Sequence, residues 1–103
     1  MPQNETVKIV RLTSGEELLA YATEYANAVS LRSPCIILMG ENGKLSFTYW
    51  MPYSKDKKFS INKEHIVFTT VPVFELEEMY RKQTVKDSSG LILPESTNFN
   101  VRS

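Results

Sequence analysis

The stretch that decides the fold is RLTSGEELLAYATEY, residues 11–25, in which two apolar-rich runs are parted by a Ser-Gly and resume at once. The run leading into it, TVKIVRLT (6–13), is rich in β-branched residues and sets polar side chains between apolar ones. It reads as a strand with Val10 and Leu12 on one face and Ile9 on the other. Gly15 then supplies a turn position open to positive φ without steric cost. The run ELLAYATEY (17–25) has the propensity for a helix. Against that, the turn before it is short, no cap precedes it, and AVSLRSPCIILM (28–39) follows with strand character. As a strand it places Leu18, Ala20 and Ala22 on one face and Leu19 and Tyr21 on the other. Apolar residues on both faces are more than an open, half-solvated sheet requires.

Further along, ANA (26–28) is a tight turn, with Asn27 able to reach left-handed conformations. The next strand, 29–39, is long, and Pro34 marks a bulge or an edge position within it. GENGK (40–44) carries Asn-Gly, a strong hairpin signal. LSFTYWM (45–51) returns as the second arm, Leu45, Phe47, Tyr49 and Met51 alternating with Ser46, Thr48 and Trp50. PYSKDKK is a polar loop, FSI (59–61) a short strand, NKEH a turn and IVFTTV (66–71) the last strand. From Pro72 the pattern changes. Val73, Leu76 and Tyr80 fall at i, i+3 and i+7, which predicts a helix over 72–86 packed through those three side chains. Glu75, Glu77 and Glu78 near its start and Arg81 and Lys82 near its end suit the helix dipole. The remainder, 87–103, reads as an extended tail carrying the apolar segment LILP.

Composition narrows the function classes. Twelve basic and twelve acidic residues cancel, so no global field points to nucleic acid, membrane or acidic ligands. The one local surplus is in 51–70, with four lysines against Asp56 and Glu64. A single cysteine cannot form an internal disulfide, which suits a reducing compartment. There is no secretory pattern, and the longest apolar run is CIILM, so a soluble, cytoplasmic protein with no membrane partner is expected.

Strand, Gly turn, strand, tight turn, long strand, hairpin, strand, short turn, strand is the order of a small closed barrel. Residues 10–34 resemble the first motif of the Sm-like (LSm/Hfq-type) family: Leu12, Gly15, Leu18, Ala20, Ala22, Tyr25, Val29 and Leu31 match its positions in order. SINKEHIVF (60–68) resembles the second motif, and the two span about residues 6–71. KIVRLTSGEEL, WMPY before a charged loop, EHIVF and GLILP resemble, more narrowly, small Sm-like proteins of tailed phages of marine cyanobacteria, which implies a host cytoplasm. The resemblance implies a mainly β fold. Residues 1–71 would form a strongly bent five-stranded antiparallel barrel, followed by a C-terminal α-helix over 72–86. It also implies a homo-oligomeric ring of five to seven subunits, in which the last two barrel strands pair between neighbours. Phe47, Tyr49, Ile66, Val67 and Phe68 would then lie at the subunit interface.

The family's uridine pocket is not reproduced. Its acidic, stacking and asparagine positions fall on Ala26, Ala28 and Ser30, and its Arg-Gly on Asn62-Lys63. The nucleic-acid candidates are therefore Lys55, Lys57, Lys58 and Lys63, interleaved with Trp50, Tyr53 and Phe59, and suited to weak binding without sequence preference. A charged solubilising loop over barrel aromatics is the plainer account of the same residues. His65 is the only histidine and reads as a turn residue. Cys35 sits among aliphatics as a small core hydrophobe with no partnered base. No catalytic residue, metal or cofactor is expected. Two functions remain: a ring associated with RNA, and a structural or regulatory ring that binds a protein partner through the helix face and LILP.

Overall fold

Six strands lie between Thr6 and Thr70 in the computed structural model, which describes residues 5–88, built on alternating runs such as 45–49 and on the two-faced apolar run 17–24. They are β1 (Thr6–Leu12), β2 (Glu17–Glu24), β3 (Ala28–Met39), β4 (Leu45–Tyr49), β5 (Lys58–Asn62) and β6 (Ile66–Thr70). A 3-10 turn, Lys63–His65, links β5 to β6, and one helix, α1 (Phe74–Ser88), follows. The chain divides into two units, one ending at Val73 and one beginning at Phe74. The LILP segment and the rest of 89–103 lie outside the described residues.

The fold is mainly β and every ladder is antiparallel. The order is β4-β3-β2-β1-β6, with β5 paired to β3 off that path. The ladder does not close on itself: β5 and β6 are joined by three residues in the chain but by no strand pairing. Gly15 takes φ +101° in the turn between β1 and β2, the conformation expected of it.

The family resemblance implies five barrel strands, and six are present, matching the six strand segments of the sequence, because the fourth is interrupted. Its two pieces share the outer edge of β3, β4 facing Cys35–Met39 and β5 facing Ala28–Arg32. The cause lies in β3. Its pairing with β2 steps from Leu19↔Cys35 to Tyr21↔Arg32, so Ser33 and Pro34 together oppose Ala20. Ser33 takes φ +54°, and Pro34 has no N–H to give a ladder. The expected bulge at Pro34 is there. The outer chain leaves β3 after Tyr49, taking Met51 out of the strand, and returns at Lys58. Its stems are clamped to the bulge: Trp50 N–H donates to the Pro34 carbonyl at 2.9 Å, and Ser33 N–H to the Lys57 carbonyl at 2.7 Å.

Val10, Leu12, Leu18, Ala20, Ala22, Val29 and Leu31 form one core cluster, with Ile36, Trp50, Ile61 and Ile66 packed against it. Val7, Leu19, Tyr21 and Cys35, which alternate with those residues, are buried as well. Both faces of β2 are therefore out of water, as the two-faced patterning of 17–24 requires. The Arg32 guanidinium lies 4.2 Å from the centre of the Tyr21 ring and donates to both carboxylate oxygens of Glu5, at 2.8 and 2.9 Å.

In α1, Leu76, Tyr80 and Thr84 are buried at i, i+4 and i+8, and Thr84 Oγ1 donates to the Tyr80 carbonyl at 3.0 Å. Glu77 and Arg81 form an i,i+4 ion pair at 2.8 Å. Val73 precedes the first helical residue and is 67% exposed, so it is not part of the buried stripe on which the sequence pattern placed it. Leu76→Ala should accordingly destabilise the protein by about 2–3 kcal/mol. Val73→Ala should cost under about 0.5 kcal/mol. Thermal melts of the two variants check the contrast, and equal shifts would contradict it.

Candidate nucleic-acid interface

Two turns meet at one end of the strands. The β2–β3 turn is closed by Tyr25 N–H donating to the Ala28 carbonyl at 2.9 Å. The 3-10 turn is capped by Asn62, whose Oδ1 accepts the Glu64 N–H at 2.9 Å. Lys63 N–H donates to the Asn27 carbonyl at 2.9 Å, and Ala28 faces Asn62 across β3 and β5. At the other side of the 3-10 turn, Thr13 N–H donates to the His65 carbonyl at 2.8 Å. The segments that resemble the family's two motifs thus come together, through backbone hydrogen bonds that any side chains would permit.

The side chains they carry are poorly suited to a nucleotide. Ala26 is exposed and Ala28 and Ser30 are half-buried, and none offers a stacking face. Lys63 Nζ lies 3.0 Å from Glu24 Oε2, so an anion arriving there must displace a carboxylate. An exposed pair of this kind contributes little to stability, about 0–1 kcal/mol, but it cancels the local charge. Tyr25, named in the sequence only as a matched motif position and not as a stacking candidate, is 50% exposed at this turn. The signal was its place just beyond β2, where no ladder neighbour covers a ring.

The four candidate lysines do not form one set. Lys63 is at the meeting of the turns. Lys55 and Lys57 are on the excursion between β4 and β5, and Lys58 opens β5 opposite Arg32. Lys58 and Asn62 are four strand residues apart, about 13 Å. Lys55, Lys57 and Lys58 are exposed, and no ion pair among the described residues engages them.

The interleaved aromatics divide too. Trp50 Nε1 donates to Glu16 Oε2 at 3.2 Å, and its ring meets Phe59 edge-on with centroids 5.7 Å apart. Ser14 Oγ donates to Glu16 Oε1 at 3.0 Å, which holds the carboxylate in place. Trp50 and Phe59 are half-buried and serve the protein's own packing, while Tyr53 is 81% exposed.

Among the expected interface residues, Phe47, Tyr49 and Ile66 are half-buried, and Val67 and Phe68 are 54% and 51% exposed. His65 is exposed within the 3-10 turn. Cys35 is fully buried, its Sγ donating to the Ser33 carbonyl at 3.6 Å. Among the described residues no three His, Cys, Asp or Glu side chains gather as metal ligands. No helix among them is long and apolar enough to cross a membrane. Neither a protein-family model nor a curated protein matches the chain.

Proposed function

We propose that this chain is a Sm-like barrel subunit that assembles with copies of itself into a ring of roughly five to seven, and that the ring associates with RNA without a uridine pocket. The observation that carries the assembly is β6. One edge of β6 pairs with β1, the other has no ladder among the described residues, and Val67, Phe68 and the adjoining Val71 are 54%, 51% and 67% exposed. An apolar strand edge in this condition templates pairing with another chain. The outer edges of β4 and β5 are the complementary surface, and joining β6 of one copy to that edge of the next is a head-to-tail contact, which gives a ring when the rotation between copies closes.

The link between β5 and β6 supports a barrel. In a flat sheet these strands would stand four spacings apart, about 19 Å. A three-residue 3-10 turn reaches only about 8 Å. A link that short favours a path from β5 through β3, β2 and β1 to β6 that bends back on itself, and this supports the barrel reading.

Light scattering on the purified protein at about tens of micromolar tests the assembly, with the 11.8 kDa chain as the unit of mass. A mass of five to seven chains is expected, and a monomer would refute the ring.

A further inference from the structure

We infer that the excursion 50–58 is a binding element for single-stranded nucleic acid, in which Tyr53 stacks on a base and Lys55, Lys57 and Lys58 hold the flanking phosphates. This rests on the RNA-associated reading above and moves the ligand away from the turns where the family resemblance would put it.

The excursion is held before any ligand arrives. Its stems are fastened to the β3 bulge by Trp50 N–H to Pro34 and Ser33 N–H to Lys57. Inside it, Ser54 N–H donates to the Met51 carbonyl at 3.1 Å, and Asp56 N–H to Ser54 Oγ at 3.0 Å. Trp50 anchors its first residue to Glu16 and Phe59. A loop ordered in this way loses little conformational entropy on binding.

On this frame Tyr53 is the most exposed of the large apolar side chains among the described residues, at 81%. Beside it are three exposed lysines that no described ion pair engages, opposed within the segment only by Asp56. An exposed aromatic face beside cations that no ion pair among the described residues engages fits a ligand carrying both planar rings and regularly spaced negative charge. A single-stranded nucleic acid offers both, and any base supplies the face, so little sequence preference follows. The turns at 25–28 and 62–64 differ in the decisive respect that their lysine is already paired with Glu24.

Titration of fluorescent oligo-A and oligo-U at several salt concentrations tests this, using the full chain and Val67→Asp side by side so that the result does not depend on assembly. Three phosphate contacts give a log–log salt slope of about −2 for either oligonucleotide. Tyr53→Ala should weaken binding about five-fold or more with the slope unchanged. Lys57→Gln with Lys58→Gln should reduce the slope to about −0.7. Lys63→Gln and Tyr25→Ala should leave both quantities as they were, and thermal melts confirm that each variant folds. If affinity falls with Lys63→Gln or Tyr25→Ala instead, the ligand sits at the turns; this site is then wrong and the RNA reading stands. If Tyr53→Ala has no effect and polyphosphate or poly-glutamate competes as well as an oligonucleotide, the segment is only a charge patch and the inference fails. Absence of binding at low salt overturns both readings.

Discussion

On the proposed ring, Val67→Asp should give monomers while leaving each subunit folded. Val67 is 54% exposed on the outermost strand of its own subunit, so a carboxylate there stays hydrated in the monomer. Surface changes of that kind fall within about 0.5 kcal/mol. In a ring the same position is covered by the neighbouring edge strand. A charge left there without a partner costs about 3–5 kcal/mol, and every interface of a cyclic assembly carries it once. Light scattering should report a single chain, and circular dichroism should show the strands melting within a few degrees of the parent protein. If the variant keeps the parent's mass, β6 is not the joining edge. If it loses its strand signal, Val67 is a core residue and the exposure argument is wrong.

Leu18→Ala should have the opposite profile, with a large loss of stability and no specific effect on assembly. Leu18 is fully buried at the centre of the core cluster, facing Val10 on one side and Ile36 on the other. Removing its isobutyl group loses the transfer free energy and leaves a cavity, together about 3–4 kcal/mol. A domain of this size has about 5–15 kcal/mol in total. A fall in Tm of more than about 10 °C follows. Leu38, 44% exposed near the tip of the β3–β4 hairpin, is the comparison, and its alanine variant should cost under about 1 kcal/mol. Similar shifts in the two would mean that the burial pattern does not describe the folded protein.

The features legible in the sequence were those with local causes. Alternation over 6–12, an apolar run on both faces over 17–24, a glycine free to take positive φ at 15 and an Asn-Gly at 42–43 are properties of a few adjacent residues. They located the strands to within about two residues and placed Val10 with Leu12, and Leu18 with Ala20 and Ala22, each set on one face of its own strand. The bulge at Pro34 was legible for the same reason, since a missing N–H is a fact about one residue. The helix was legible from its period, but its first residue was not, and that displaced Val73 from the buried stripe.

Tertiary structure decided what depends on register between distant segments. A period of two says which face a side chain takes, and nothing about which strand stands opposite. The sequence therefore showed a bulge in β3 and a polar loop between the segments 45–51 and 59–61, but not that both segments pair with β3 on either side of that bulge. The same holds at the candidate site. Four lysines close together in sequence looked like one patch. Pairing β5 with β3 set Lys58 and Lys63 at opposite ends of a short strand, and the meeting of two turns gave Lys63 to Glu24. A charge is available to a ligand only when no nearer opposite charge holds it, and that neighbour comes from another part of the chain. The sequence by itself determined the strands, the turn residues and the apolar faces; the fold alone decided which cations remain unpaired, because pairing is settled by distance in space.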